Sequence, residues 1–250
     1  QLTWTVAQST IPVQLSDPDL GYEWSFGARV AVFGDYAFVS DPWPSETTRS
    51  GVHVFHRPEG GTGAWGWVQT IASPDNDRTL FGLGLHAWDN YLAIYQPPRP
   101  FFILGTSTCK NRSVYLYRLN ELQQWVSDGT VGGEILTTGL CADHFGNDFS
   151  GDRNSKLDAF GTNLVVTSPE ANSINGEIRI DIISGLAAGQ WIIENVLYSN
   201  INEVSINEEQ VFHRLDNGAI GITQVSGVEI DTLVLESSYT TASPGRAIDA

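Results

Sequence analysis

Phe26-Gly27-Ala28-Arg29-Val30-Ala31-Val32-Phe33-Gly34-Asp35-Tyr36-Ala37-Phe38-Val39-Ser40-Asp41-Pro42 reads as two short apolar strands joined by a Gly-Asp turn, a tight-hairpin signal. The pattern returns in Phe81-Gly82-Leu83-Gly84-Leu85-His86-Ala87-Trp88-Asp89-Asn90-Tyr91-Leu92-Ala93-Ile94-Tyr95-Gln96-Pro97, with the same interval from Phe-Gly to Pro. A third copy, Lys156-Leu157-Asp158-Ala159-Phe160-Gly161-Thr162-Asn163-Leu164-Val165-Val166-Thr167-Ser168-Pro169, has its Phe145-Gly146 set further back by an insert around Asn147 to Ser155. Leu215-Asp216-Asn217-Gly218-Ala219-Ile220-Gly221-Ile222 keeps the turn without Phe-Gly and reads as the fourth.

An alternating strand follows each copy: Val52 to His56, Val114 to Arg118, Glu177 to Ile183 and Val228 to Leu235. Next comes a Trp-bearing strand, at Trp67, Trp125 and Trp191; Trp4-Thr5-Val6-Ala7 has the same character but precedes the first unit. Four strands at a period near sixty residues predict an all-β fold, a β-propeller of four-stranded blades that must stack to bury their faces. The expected organisation is one domain of four blades: an N-terminal closing strand in 1–20, blades in 21–75, 76–139 and 140–200, and a degenerate fourth blade with tail in 201–250. Pairing the N-terminal strand with the last blade would close the ring and remove its edges. The alternative is an arc of a larger ring.

Composition narrows the function classes. With 13 Lys and Arg against 29 Asp and Glu, the net charge is −16, which repels phosphate backbones and anionic membrane surfaces. No nucleic-acid partner is expected. No apolar run approaches the roughly 18 residues of a membrane helix, so no membrane insertion is expected. The chain has no methionine and its numbering opens at Gln1; both suit a processed, secreted protein.

Phe-Gly, an apolar strand, a Gly-Asp turn, a second strand and a terminal Pro together resemble the FG-GAP repeat family, propeller repeats found in integrin α subunits and many secreted proteins. Ser40-Asp41-Pro42, Tyr95-Gln96-Pro97 and Thr167-Ser168-Pro169 stand where that family has Gly-Ala-Pro. The Gly-Ala itself is absent, and the family's Asp-rich calcium loop is not clearly present. The resemblance implies an extracellular, non-enzymatic propeller for adhesion or assembly, often with calcium.

Calcium is the only cofactor suggested. Asp148, Asp152, Asn154 and Asp158 offer oxygens in the third unit's insert, and a hard cation needs six to eight of them. Arg153 and Lys156 intrude on that loop, so the plainer reading is a solvated loop. Cys109 lies in a second-to-third-strand loop and Cys141 in a blade-to-blade connection. These emerge on one face of a propeller, so a disulfide is expected, with two free thiols as the alternative. Asn111-Arg112-Ser113 is an N-glycosylation sequon, which by itself is no evidence of secretion.

Catalysis finds little support. Five histidines form no His-x-x-x-His pair, and no Gly-x-Ser-x-Gly elbow occurs. Gly61-Thr62-Gly63-Ala64-Trp65-Gly66 spells a dinucleotide fingerprint, but its flanks read as strands, with no helix to meet a pyrophosphate. The better interaction feature is aromatic. Trp43 stands between Pro42 and Pro44, and Phe101 and Phe102 close a Pro-rich stretch; Pro lowers the ordering cost of such contacts. The plainer alternative is that these rings cover blade edges.

The expected function is a secreted module that binds an extracellular protein or glycan. A structural subunit self-assembling into an extracellular filament or coat is the second reading. A glycan-active propeller enzyme using paired carboxylates is the third.

Overall fold

The computed structural model describes residues 26–42, 50–57, 63–74, 80–97, 99–103, 106–110, 113–132, 135–136, 157–169, 178–185, 189–199, 201–207, 210–215, 220–224 and 229–233. They are all-β, and four of the five sheets are four-stranded and antiparallel. The first sheet runs β1 (Val30–Phe33), β2 (Tyr36–Asp41), β3 (Gly51–His56) and β4 (Gly66–Ala72). In the second, β5 (Gly84–Trp88) pairs with β6 (Tyr91–Gln96). Between β6 and the next strand of that sheet, the chain makes β7 (Arg99–Ile103) and β8 (Thr106–Lys110); β9 (Ser113–Leu119) and β10 (Trp125–Gly132) then complete it. A short β11 (Ile135–Leu136) returns to pair with β8. The third sheet is β12 (Leu157–Phe160), β13 (Asn163–Pro169), β14 (Ile178–Gly185) and β15 (Trp191–Ser199). The fourth is β16 (Ile201–Ile206), β17 (Gln210–Leu215), β18 (Ile220–Gln224) and β19 (Glu229–Leu233).

Innermost strands adjoin in chain order, β1 beside β5, β5 beside β12 and β12 beside β16. The core fills the spaces between facing sheets. Phe38, Val52, Val54 and Ile71 of the first sheet meet Phe81, Leu92, Ile94 and Trp125 of the second. Tyr95, Leu116 and Val131 of the second meet Leu164, Val166 and Trp191 of the third.

The repeated motif repeats its bonds. Gly34, Asp89 and Gly161 open the first turn of their sheets at φ of 55°, 43° and 56°, a region Gly enters freely and Asp tolerates. At the end of the third strand, or one residue past it, a backbone N–H donates to the carbonyl of the second residue of that turn: Arg57 to Asp35, Leu119 to Asn90 and Gly185 to Thr162. Phe26 and Phe81 set their rings 5.5 and 5.3 Å from the ring at the equivalent place on the third strand, His53 and Tyr115. Gly27 and Gly82 follow at φ of 85° and 93°, each donating its N–H to the second strand, at Ser40 and Tyr95.

Three expectations are corrected here. The fourth unit is out of phase by one strand. Asp216-Asn217-Gly218 falls between β17 and β18, and the stretch from Val228 holds the fourth strand, not the third. The hairpin that opens this sheet instead turns through Asn207, whose carbonyl-bearing side chain accepts from Gln210 N and whose own N–H reaches Gln210 O. That turn lacks the Gly-Asp signature. The fourth sheet is thus four-stranded among the described residues; the closing strand expected in 1–20 lies outside the described residues.

Second, Trp67 is not the counterpart of Trp125 and Trp191. Those two pair with Leu119 and Gly185, one residue past the partners of Tyr91 and Asn163. In the first sheet Tyr36 pairs with His56, His56 pairs with Gly66, and Trp67 pairs with Phe55. The register thus puts Trp65 in the repeated place. The two tryptophans stand on one strand face, two residues apart, so alternation alone does not separate them. The outer strand bulges just beyond, at Val68, Asp128 and Glu194 in turn.

Third, Phe101, Phe102 and Cys109 are not in a loop. Their backbones form the β7–β8 hairpin of a separate three-stranded sheet, ordered β11-β8-β7.

Candidate functional site

Two regions depart from the repeat and could carry function. The first is where the innermost strands meet. Alignment of the motif places Ala31, His86 and Asp158 in one column, and the last two come together in space. Asp158 lies on β12, and its Oδ2 accepts from Ser205 Oγ and from the Ile206 backbone N–H on β16, both at 2.8 Å. Its Oδ1 lies 3.6 Å from His86 Nε2 on β5. One carboxylate thus touches three consecutive sheets. Burial pulls the His86 imidazole below its ordinary value, and the Asp158 charge opposes that shift.

Serine, aspartate and histidine are present, yet their order is not that of a nucleophilic triad. Activation of a hydroxyl needs the imidazole beside it; here the carboxylate stands between the two. The arrangement is a junction rather than a nucleophile. It also bears on calcium, because Asp158 is part of a strand and both of its oxygens face partners in neighbouring sheets. Asp148, Asp152 and Asn154 lie outside the described residues. Among the described residues, no three of His, Cys, Asp and Glu converge as metal ligands would.

A second carboxylate serves the outer strands. Asp128, at the β10 bulge, is buried; its Oδ2 accepts from Trp191 Nε1 at 3.2 Å, and its Oδ1 is 3.5 Å from Arg118 Nε. Trp191 meets Tyr91 edge-on at 5.3 Å, as Trp125 meets Tyr36 at 5.6 Å and Phe38 at 4.9 Å. Trp65 carries the Arg57 guanidinium 4.9 Å over its ring, and Asp35 Oδ1 accepts from Arg57 Nε at 2.8 Å. Two other titratable groups are shifted by burial. His53 is pulled down by burial against the opposing charge of Asp41, and burial then Tyr115 push Tyr117 up to about 12.

The second region is the appended sheet. Gln96 on β6 pairs directly with Ser113 on β9, so the second sheet is complete without 98–112, and the β7–β8 hairpin is an addition to it. β11, just after the outer strand β10, binds β8 with Leu136 opposite Cys109. The second-to-third-strand excursion and the connection leaving the blade therefore lie on one side. Trp43, Asn111 and Cys141 lie outside the described residues.

Sequence reading missed His86 with Asp158 and Ser205 as a group. The available signal was the shared column, where polar residues replace Ala31 on strands that should be apolar.

No family model matches the chain, and no curated protein matches it. Among solved structures it is similar to a prolyl endopeptidase at 15% identity, with a TM-score of 0.43, over 83% of this chain and 27% of that one. The chain thus spans about a quarter of that protein's length. At that TM-score the likeness bears on neither the fold nor the chemistry.

Proposed function

We propose that the chain is an extracellular, non-enzymatic β-propeller of FG-GAP type that binds a protein or glycan through the sheet appended to its second blade. The observation that carries this reading is that the appended sheet is surplus to the repeat. Insertions on a repeated scaffold gather on one face and are where repeat proteins commonly bind. The Pro-Phe-Phe stretch of β7 and the Asn111-Arg112-Ser113 sequon that follows β8 in the sequence suit a contact surface in a secreted protein.

Replacing Pro97 to Arg112 with a two-residue Asn-Gly turn between the paired Gln96 and Ser113 tests it. The shortened protein should melt within a few degrees of the parent and lose retention on panels of extracellular glycans and matrix proteins. Retention that survives the deletion sinks the reading. A structural subunit is the second reading, favoured by apolar residues exposed at the start of three outer strands: Trp67 and Val68, Val126, and Ile192 and Ile193. Sedimentation velocity on the same pair separates the two, since large polymers that persist without the hairpin would make assembly the function.

The ring we propose has four blades, closed by the fourth sheet packing on the first. Val39, His53 and Phe55 on the outward face of the first sheet are buried, as are Val204, Ile206 and Val211 on the fourth. Closure would bring those two faces together and would cover Val30 and Val32, which are exposed on the same face of β1. Spin labels at Val30 and Gln224 should then sit closer than labels at Val30 and Ile192, because the fourth blade neighbours the first and the third stands opposite. An open arc reverses that order.

A further inference from the structure

Where β5, β12 and β16 meet, the chain sets a half-buried imidazole against a carboxylate that also holds the next sheet. We propose that His86 and Asp158 form an acid-releasable clasp between the innermost strands of the second, third and fourth sheets. This goes beyond the binding reading and does not rest on it.

The geometry carries the proposal. Asp158 spends one oxygen on two hydrogen bonds from β16, and the other faces His86 Nε2 at 3.6 Å, beyond hydrogen-bond reach. His86 is thus held near its counter-charge without being bonded to it, and its ring lies 5.7 Å from that of Trp88. The groups around it are few. β12 brings Asp158; β6 brings Tyr91 and Tyr95; β1 has no ionisable residue, with Arg29 and Asp35 flanking it; β16 carries Glu203. On the described strands packed against β5, Asp158 is the one carboxylate.

The sign follows from burial. The folded chain holds the imidazole below its ordinary value, with desolvation the larger cause and Asp158 opposing it. Folding therefore favours neutral His86. The stabilisation is fully present above the free-histidine range and is lost as pH falls through the folded value. A protonated ring regains water by opening the junction, and Ile206 N–H, held by Asp158, is the reporter that loosens with it.

Hydrogen exchange on the full chain from pH 7 to pH 5, corrected for intrinsic rates, reads this directly. Protection at Ile206 should fall by up to about tenfold per pH unit between the free-histidine value and the folded His86 value, and level off below it, while Phe38 and Val54 stay level. His86→Gln should abolish the local step, and His53→Gln should leave it. Asp158→Asn keeps an oxygen for Ser205 or Ile206 but removes the charge that raises the imidazole, so the step should move to lower pH. A step unchanged in His86→Gln overturns the clasp. So does protection that rises in acid, or a step that Asp158→Asn leaves in place.

Discussion

Trp125→Ala should destabilise the protein by about 3–5 kcal/mol, the range for truncating a large buried aromatic, and Trp67→Ala by no more than about 1 kcal/mol. Trp125 is 2% exposed, with its ring edge-on to Tyr36 and Phe38 of the preceding sheet; Trp67 is 54% exposed. The loss at Trp125 is one of packing. Its backbone N–H donates to Gln69 Oε1 and its carbonyl accepts from Gln69 Nε2, and both bonds survive truncation. Among the described residues the indole N–H has no hydrogen-bond partner, so no polar group there is stranded when it goes. Trp125→Phe should accordingly recover most of the loss, since it keeps ring area and removes a buried, unpaired donor. Urea midpoints at constant m-value measure all three. Equal losses at Trp67 and Trp125 would contradict the register that puts Trp65, not Trp67, in the repeated position.

Those two tryptophans show where sequence reading succeeds and fails. Strand number and order in three units were legible because Phe-Gly, the two-residue turn and the terminal Pro each impose a local backbone state that few other residues tolerate. Register was not. A strand face repeats every second residue, so Trp65 and Trp67 satisfy the same alternation, and only the pairing of His56 with Gly66 chooses between them. The fourth unit failed for the opposite reason. Asn207 closes its first hairpin with a side-chain bond to Gln210 N, a solution with no glycine to announce it. The β7–β8 hairpin was hidden in residues that the turn signals of Pro98 and Pro100 marked as loop, although Pro is tolerated on an edge strand such as β7. At the junction, His86 and Asp158 were each visible, but nothing local to either joins residues in different blades. The shared column does, once the blades are known to stack.

Gly82→Ala should cost about 2–5 kcal/mol, and Gly27→Ala about 1–2 kcal/mol, although both are the glycine of a Phe-Gly pair. The two share a backbone state, φ of 93° and 85°, and a side chain in the left-handed region carries a penalty of about 1–2 kcal/mol. They differ in what a methyl would meet. At Gly27 an added Cβ would meet nothing within 4 Å among the described residues; at Gly82 it would lie 2.9 Å from Ser40 Cβ and 3.3 Å from Val52 Cγ2. Both neighbours belong to the first sheet, and both are buried. Relief would need the sheets to part, and overpacking of that kind adds about 1–3 kcal/mol. The Gly82 N–H bond to Tyr95 O would loosen with it. The same residue type therefore does two jobs in one motif: at Gly27 it permits a turn, and at Gly82 it also sets how closely the first and second sheets approach. Chemical denaturation of both variants decides the matter. Equal losses would mean that Phe-Gly shapes each entry turn alone and does not govern blade spacing.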